Sequence, residues 1–198
     1  GFGLKGGASF GASGNGIRFA ATGEAVVDAA SMYASSGATI TLPRLTRLAG
    51  EGGCCPEHWI DASGLGSVLD LSAVTFLDGG NYMYVRARNG GRIVLTALEQ
   101  KEAGRVRLIA QDEGSRVEVP NLRTFASGEF SVLGGATLDL SRLSSASALH
   151  INASAGGVLR LPALTRLAGE GGCCPEYYID ASGLGSVLDL RAVSVIEA

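Results

Sequence analysis

The stretch GATITLPRLTRLAGEGGCCPE at residues 37–57 returns at residues 156–176 as GGVLRLPALTRLAGEGGCCPE. The match runs on beyond the quoted segment: residues 37–79 and 156–198 agree at 30 of 43 positions, with an offset of 119 residues. An offset shared over so many positions marks an internal duplication, and duplication at fixed spacing is the signature of repeat architectures.

A shorter period runs inside the long one. Gly37, Gly66, Gly90, Gly114, Gly135, Gly156 and Gly185 mark units of 29, 24, 24, 21, 21 and 29 residues, and the first five units fill the 119-residue offset. Three residues after each Gly stands Ile40, Leu69, Ile93, Val117, Leu138, Leu159 or Leu188. Five after it stands Leu42, Leu71, Leu95, Val119, Leu140, Leu161 or Leu190. The residue between is Thr41, Asp70, Val94, Glu118, Asp139, Arg160 or Asp189, so each unit carries the in-out-in alternation of a β-strand, with Val94 the apolar exception.

A second inward set follows at the eighth and eleventh positions, as in Leu45 and Leu48 of the first unit. Lys101 is the charged exception in the eleventh column and is expected to reach outward from a bulge. The sixth position carries Pro43, Pro120 and Pro162, which fits a corner, where the missing N–H is not needed by a ladder. Segments such as Trp59-Ile60-Asp61-Ala62 and His150-Ile151-Asn152-Ala153 supply a third short strand. Three strands and three corners in 21 to 29 residues predict an all-β fold, a parallel β-helix or β-solenoid of roughly triangular coils, right-handed by the usual preference. A leucine-rich repeat would need an Asn or Cys ladder position, and helical solenoids need longer units with fewer glycines.

The pattern resembles the parallel β-helix proteins of bacterial surfaces, adhesins and autotransporter passengers, and polysaccharide-active enzymes on the same fold. The resemblance covers residues 37–198 and rests on architecture, without a catalytic motif. Residues 1–36 are read as an irregular Gly-rich start or a diverged first coil, with Ile17, Phe19 and Val26 as core positions. The first Gly suggests a processed product or fragment. The ending RAVSVIEA falls partway through a coil, so further coils or rods joined end to end are expected.

Composition narrows the function. Thirty glycines and 6% aromatics in 198 residues suit repetitive β-structure, and 46% hydrophobic residues are ample for a core. A net charge of −3 with both signs interspersed gives no footprint for nucleic acid, and the chain contains no apolar run long enough to span a bilayer.

The four cysteines are the adjacent pairs Cys54-Cys55 and Cys173-Cys174, inside the two 29-residue units. The extra residues are expected to form protruding contact loops, built from Glu51, Gly53, Pro56 and Glu57 in one unit and Glu170, Gly172, Pro175 and Glu176 in the other. Five coils at roughly 4.8 Å separate the pairs by about 24 Å, too far for a bridge between loops in a straight rod. Vicinal disulfides, free thiols, intermolecular disulfides and metal binding stay open. Two thiolates per loop fall short of a metal's ligand set; His58 could add one, but Tyr177 replaces it in the second copy. No metal or cofactor is expected.

Glu118 and Asp139, on adjacent coils, form the carboxylate pair that a retaining glycosidase would use, or else part of a solvated charge ladder. Asp61 and Asp180 are weaker Ca²⁺ candidates, and Ser63 and Ser182 read as turn residues. The leading expectation is a non-enzymatic structural segment of an extracellular fibre, stalk or surface layer that self-associates end to end or laterally. The alternatives are an adhesin or glycan-binding passenger using Trp59, Tyr82, Tyr84, Tyr177 and Tyr178 on a glycan or cell surface, and a polysaccharide lyase or hydrolase using the carboxylate pair.

Overall fold

The structure is a computed structural model, and it describes residues 1–50, 57–169 and 177–197. The described residues form strands and turns without a helix, so no helix is long and apolar enough to cross a membrane. Every strand pairing is parallel, each strand meeting its counterpart one coil away. A full coil shows three faces in chain order. In the coil that starts at Gly37 they are the strands Thr39–Thr41, Arg47–Ala49 and Glu57–Ser63.

The marker glycines define one corner. All seven take φ between 76° and 87°, which an L side chain adopts only under strain, so the spacing of glycines in the sequence is the spacing of this corner in space. The corner comes in two sizes. In the tight form, as at Arg88-Asn89-Gly90-Gly91, the N–H of Gly91 donates to the carbonyl of Arg88 at 3.0 Å. In the wider form one residue is added and a Ser follows the Gly. Ser67 Oγ donates to the carbonyl of Ser63 at 2.7 Å and accepts from Gly37 N at 2.9 Å, which stitches two coils together. Ser115 accepts from Gly90 N at 2.9 Å and Ser186 from Gly156 N at 3.0 Å in the same way.

The proline corner follows the first face. In each unit the N–H of the eighth residue donates to the carbonyl of the fifth, from Leu45 to Leu42 at 3.1 Å through to Val193 to Leu190 at 2.9 Å. Pro43, Pro120 and Pro162 therefore occupy the second residue of a β-turn, where the ring's fixed φ is already correct. The aspartates of the outward column cap this turn: the Oδ1 of Asp70, Asp139 and Asp189 accepts from the N–H two residues on, at 3.1, 3.2 and 3.2 Å.

Variation in unit length concentrates between the second and third faces. Residues 50–56 separate Arg47–Ala49 from Glu57–Ser63, residues 79–81 separate Phe76–Asp78 from Tyr82–Arg88, and residues 102–105 separate Gln100–Lys101 from Val106–Gln111. In the two 21-residue units the faces fuse into the single strands Thr124–Leu133 and Ser145–Ser154, kinked at Ser127 (φ 61°) and Ala148 (φ 51°).

One hydrophobic core runs along the coil axis, from Ala25 and Val27 to Leu161, Leu164 and Leu167. Residues 1–36 belong to it. Phe2–Lys5, Ser9–Ser13, Arg18–Ala20, Ala25–Asp28 and Ser31–Ser35 pair in register with the coils that follow, and Gly16 (φ 77°) opens this earlier unit. Phe19 packs with Phe2 and Phe10 at ring separations of 5.3 and 4.6 Å. Ile17 and Val26, expected in the core, are exposed; Val27 is the buried neighbour, because the strand Ala25–Asp28 turns its odd-numbered residues inward.

Lys101 also departs from expectation. It is 1% exposed and faces inward at the otherwise apolar eleventh position. Its Nζ donates to the carbonyls of Gly104, Ala126 and Ser127 and lies 4.9 Å from the Phe125 ring centroid. Carbonyls released by the bulge at 102–105 and by the kink at Ser127 need a donor, and the ammonium supplies it.

The first-face ladder is interrupted once. Bonds of one type join successive coils there, such as Arg116 N to Gly91 O and Val187 N to Gly157 O at 2.9 Å; among the described residues none joins Val158 to Ala136. The break falls between the two long repeats. The third face runs unbroken across it, with Thr124–Leu133 pairing Ser145–Ser154 and the latter pairing both Arg166–Ala168 and Ile179–Ser182.

Candidate functional site

Glu118 and Asp139 stand in register on adjacent coils, as expected. Their chemistry differs from a catalytic pair. Both carboxylate oxygens of Glu118 accept from Arg92, from Nε and Nη2 at 2.7 Å each, and this bond holds the arginine's pKa above its ordinary value. Asp139 caps its own corner. The column does not continue to Arg160 as a ladder, since the break intervenes and, among the described residues, Val158–Arg160 pairs only with Val187–Asp189. A shallow cleft of about 330 Å³ lies at the break, with Arg116, Glu118, Asp139, Ser141, Arg160 and Pro162 among its lining residues. Beyond it, Arg191 forks onto Asp189 and holds that carboxyl below the usual range.

The third face carries the aromatic residues singled out from sequence, and the structure brings three of them together. Strand alternation puts Glu57, Trp59, Asp61 and Ser63 outward and His58, Ile60 and Ala62 inward. Register then sets Tyr84 against Trp59 and Arg107 against Tyr84. The Trp59 and Tyr84 rings stack at 4.0 Å, 7° from parallel. Tyr84 Oη donates to Glu57 at 3.2 Å, and burial pushes its pKa above the ordinary tyrosine value, opposed by the Arg107 guanidinium, which lowers it. These rings stand on the strand face because the third strand keeps strict alternation from Glu57 to Ser63. Tyr177 and Tyr178 form a second group, 5.5 and 4.2 Å from the His150 ring.

Asp61 is almost fully buried although it faces outward. Arg86 Nε sits 2.6 Å from it and Arg88 Nε 3.3 Å, so the carboxylate is an ion-pair centre and its oxygens are engaged. That arrangement replaces the Ca²⁺ reading at Asp61. His58 is buried on the inward side of its strand, away from the outward column. Among the described residues no group of three or more His, Cys, Asp or Glu could hold a metal.

Of the expected contact loops, Glu57 is described: it is exposed at the start of the third-face strand. Cys54, Cys55, Cys173 and Cys174, with Glu51, Gly53, Pro56, Glu170, Gly172, Pro175 and Glu176, lie outside the described residues. Sequence reasoning did not find Arg86, Arg88, Arg105 and Arg107 as a group. The signal was there in the third strand's period of two, had it been extended through 82–88 and 105–111.

Parallel sheets on three faces, a single axial core and repeated corners define an all-β parallel β-solenoid of about seven turns. In comparison with known proteins, the chain matches no family model, no curated protein and no solved structure.

Proposed function

We propose that this chain is a structural rod, a segment of an extracellular fibre, stalk or surface layer whose work is length and stiffness and which associates with further coils or copies of itself. The observation that supports it most is the core that runs through every complete coil, wrapped by parallel ladders and tied across coils by pairs such as Arg92 on Glu118. Bending such a rod requires opening a ladder and parting packed side chains together, and every added coil brings the same interface with its neighbour, so length is gained by repeating one stiff junction. The repeated GEGGCCPE segments recur in the sequence at the 119-residue offset, and a repeat of five coils at roughly 4.8 Å each gives an axial period of about 24 Å. Electron microscopy of the full-length protein tests the reading. Thin straight fibres with an axial repeat near 24 Å, or a multiple of it, are expected; compact isolated particles refute it.

A further inference from the structure

Four arginines cluster on the third face around the ring stack. Arg86 and Arg88 lie on Tyr82–Arg88, Arg107 on Val106–Gln111, and Arg105 just before it. Each is held in place. The Arg86 guanidinium lies 4.5 Å from the Trp59 ring and bonds Asp61 through Nε; Arg88 reaches the same carboxylate through Nε. Arg107 lies 5.2 Å from the Tyr84 ring and 5.6 Å from Tyr82, with its Nε 3.4 Å from Glu129. Arg105 donates through one Nη to Tyr82 Oη at 2.8 Å. The Nη groups of Arg86, Arg88 and Arg107 make no hydrogen bond among the described residues, and 25 to 40% of these side chains is exposed.

Those Nη groups form the fork that grips carboxylate or sulfate. The rings serve differently. Trp59 and Tyr84 spend a face on each other, and guanidinium groups lie against both, so the rings act as props for the arginines. A neutral sugar that binds by stacking needs an open ring face. We infer that this face binds an acidic polysaccharide, whose carboxylate or sulfate groups take the arginine forks.

Charge and spacing argue for that occupant. Four guanidiniums against Glu57, Asp61 and Glu129 leave the patch positive in a chain of net charge −3. The arginines sit on neighbouring coils roughly 4.8 Å apart and on alternate residues roughly 7 Å apart, a grid that meets several anionic groups of a linear polymer laid on a flat face. The inference does not depend on fibre formation, since a single rod carries the whole patch.

The test is calorimetric titration of the full chain with polygalacturonate, dextran sulfate, neutral dextran and single-stranded DNA. Binding to polygalacturonate or dextran sulfate that weakens with salt, and no heat with neutral dextran, is the expected result; the polymer that binds identifies carboxylate or sulfate as the anion. Arg105→Gln with Arg107→Gln should weaken binding about tenfold or more. Arg107→Lys, which keeps the charge and loses the fork, should weaken it too, while Arg92→Gln on the first face should leave it unchanged; thermal melts confirm folding of each variant. Equal binding of neutral dextran, affinity untouched by the Arg105 and Arg107 changes, or DNA bound more tightly than either polysaccharide would overturn the inference.

Discussion

Replacing Lys101 by leucine brings in the residue that three of the other six coils carry at that position (Leu48, Leu77 and Leu167), and by repeat consensus it should stabilise the rod. The structure gives the opposite sign. Three backbone carbonyls, of Gly104, Ala126 and Ser127, converge on Nζ in a site that is 1% exposed. Leaving a buried acceptor unpaired costs about 1–3 kcal/mol, so three give roughly 3–9 kcal/mol. Removing the ammonium recovers several kcal/mol of desolvation, and leucine keeps part of the stem's packing. The balance is a loss of about 2–4 kcal/mol, with Lys101→Met at the lower end because it preserves the unbranched stem. Urea denaturation followed by circular dichroism reads this as a lower midpoint at constant slope. A leucine variant as stable as the parent, or more so, would refute the reasoning and reduce Lys101 to a tolerated oddity.

Two further predictions concern the corners and the ring stack. Ser67→Ala removes the acceptor of Gly37 N and the donor to Ser63 O, so it should cost about 2 kcal/mol and raise amide exchange at Gly37 selectively; an unchanged exchange rate there would contradict the stitch. Because burial raises the Tyr84 pKa above that of the unfolded chain, the native state holds its proton longer. The associated stability is present below the ordinary tyrosine value and falls as pH rises through the native one. Absorbance titration should show a tyrosine ionising late, and Tyr84→Phe should abolish that late component.

The fold was legible because its rules are local and repeated. A glycine with positive φ, two aliphatics two residues apart and a turn proline recur often enough that no single coil has to carry the argument. The failures lie where one coil breaks the rule for a reason set by its neighbour. Lys101 looked outward-facing because the kinks that release its carbonyls are conformational, and one of them, at Ser127, belongs to the next coil. The unit beginning at Gly16 read as either an irregular start or a diverged coil because Glu24 stands where the other coils place an aliphatic residue. The carboxylate pair was located correctly in register, yet its engagement depended on Arg92, one coil before Glu118, and on a capping bond within the turn. The arginine group is spread over 22 residues of sequence and becomes a group only once register is known.

The edge between the second and third faces makes chain length a poor ruler for this molecule. Residues 79–81 and 102–105 belong to none of the strands, so a unit of 24 residues and one of 21 occupy the same step along the axis. A gene could lengthen such an edge segment many times over without moving any rung above or below it, while one residue lost from the arm between a marker glycine and the eleventh position would turn the strand beyond it inside out. The reach of the rod and the size of what projects from its side are therefore free to change independently, the first by copying whole coils and the second by editing a single edge.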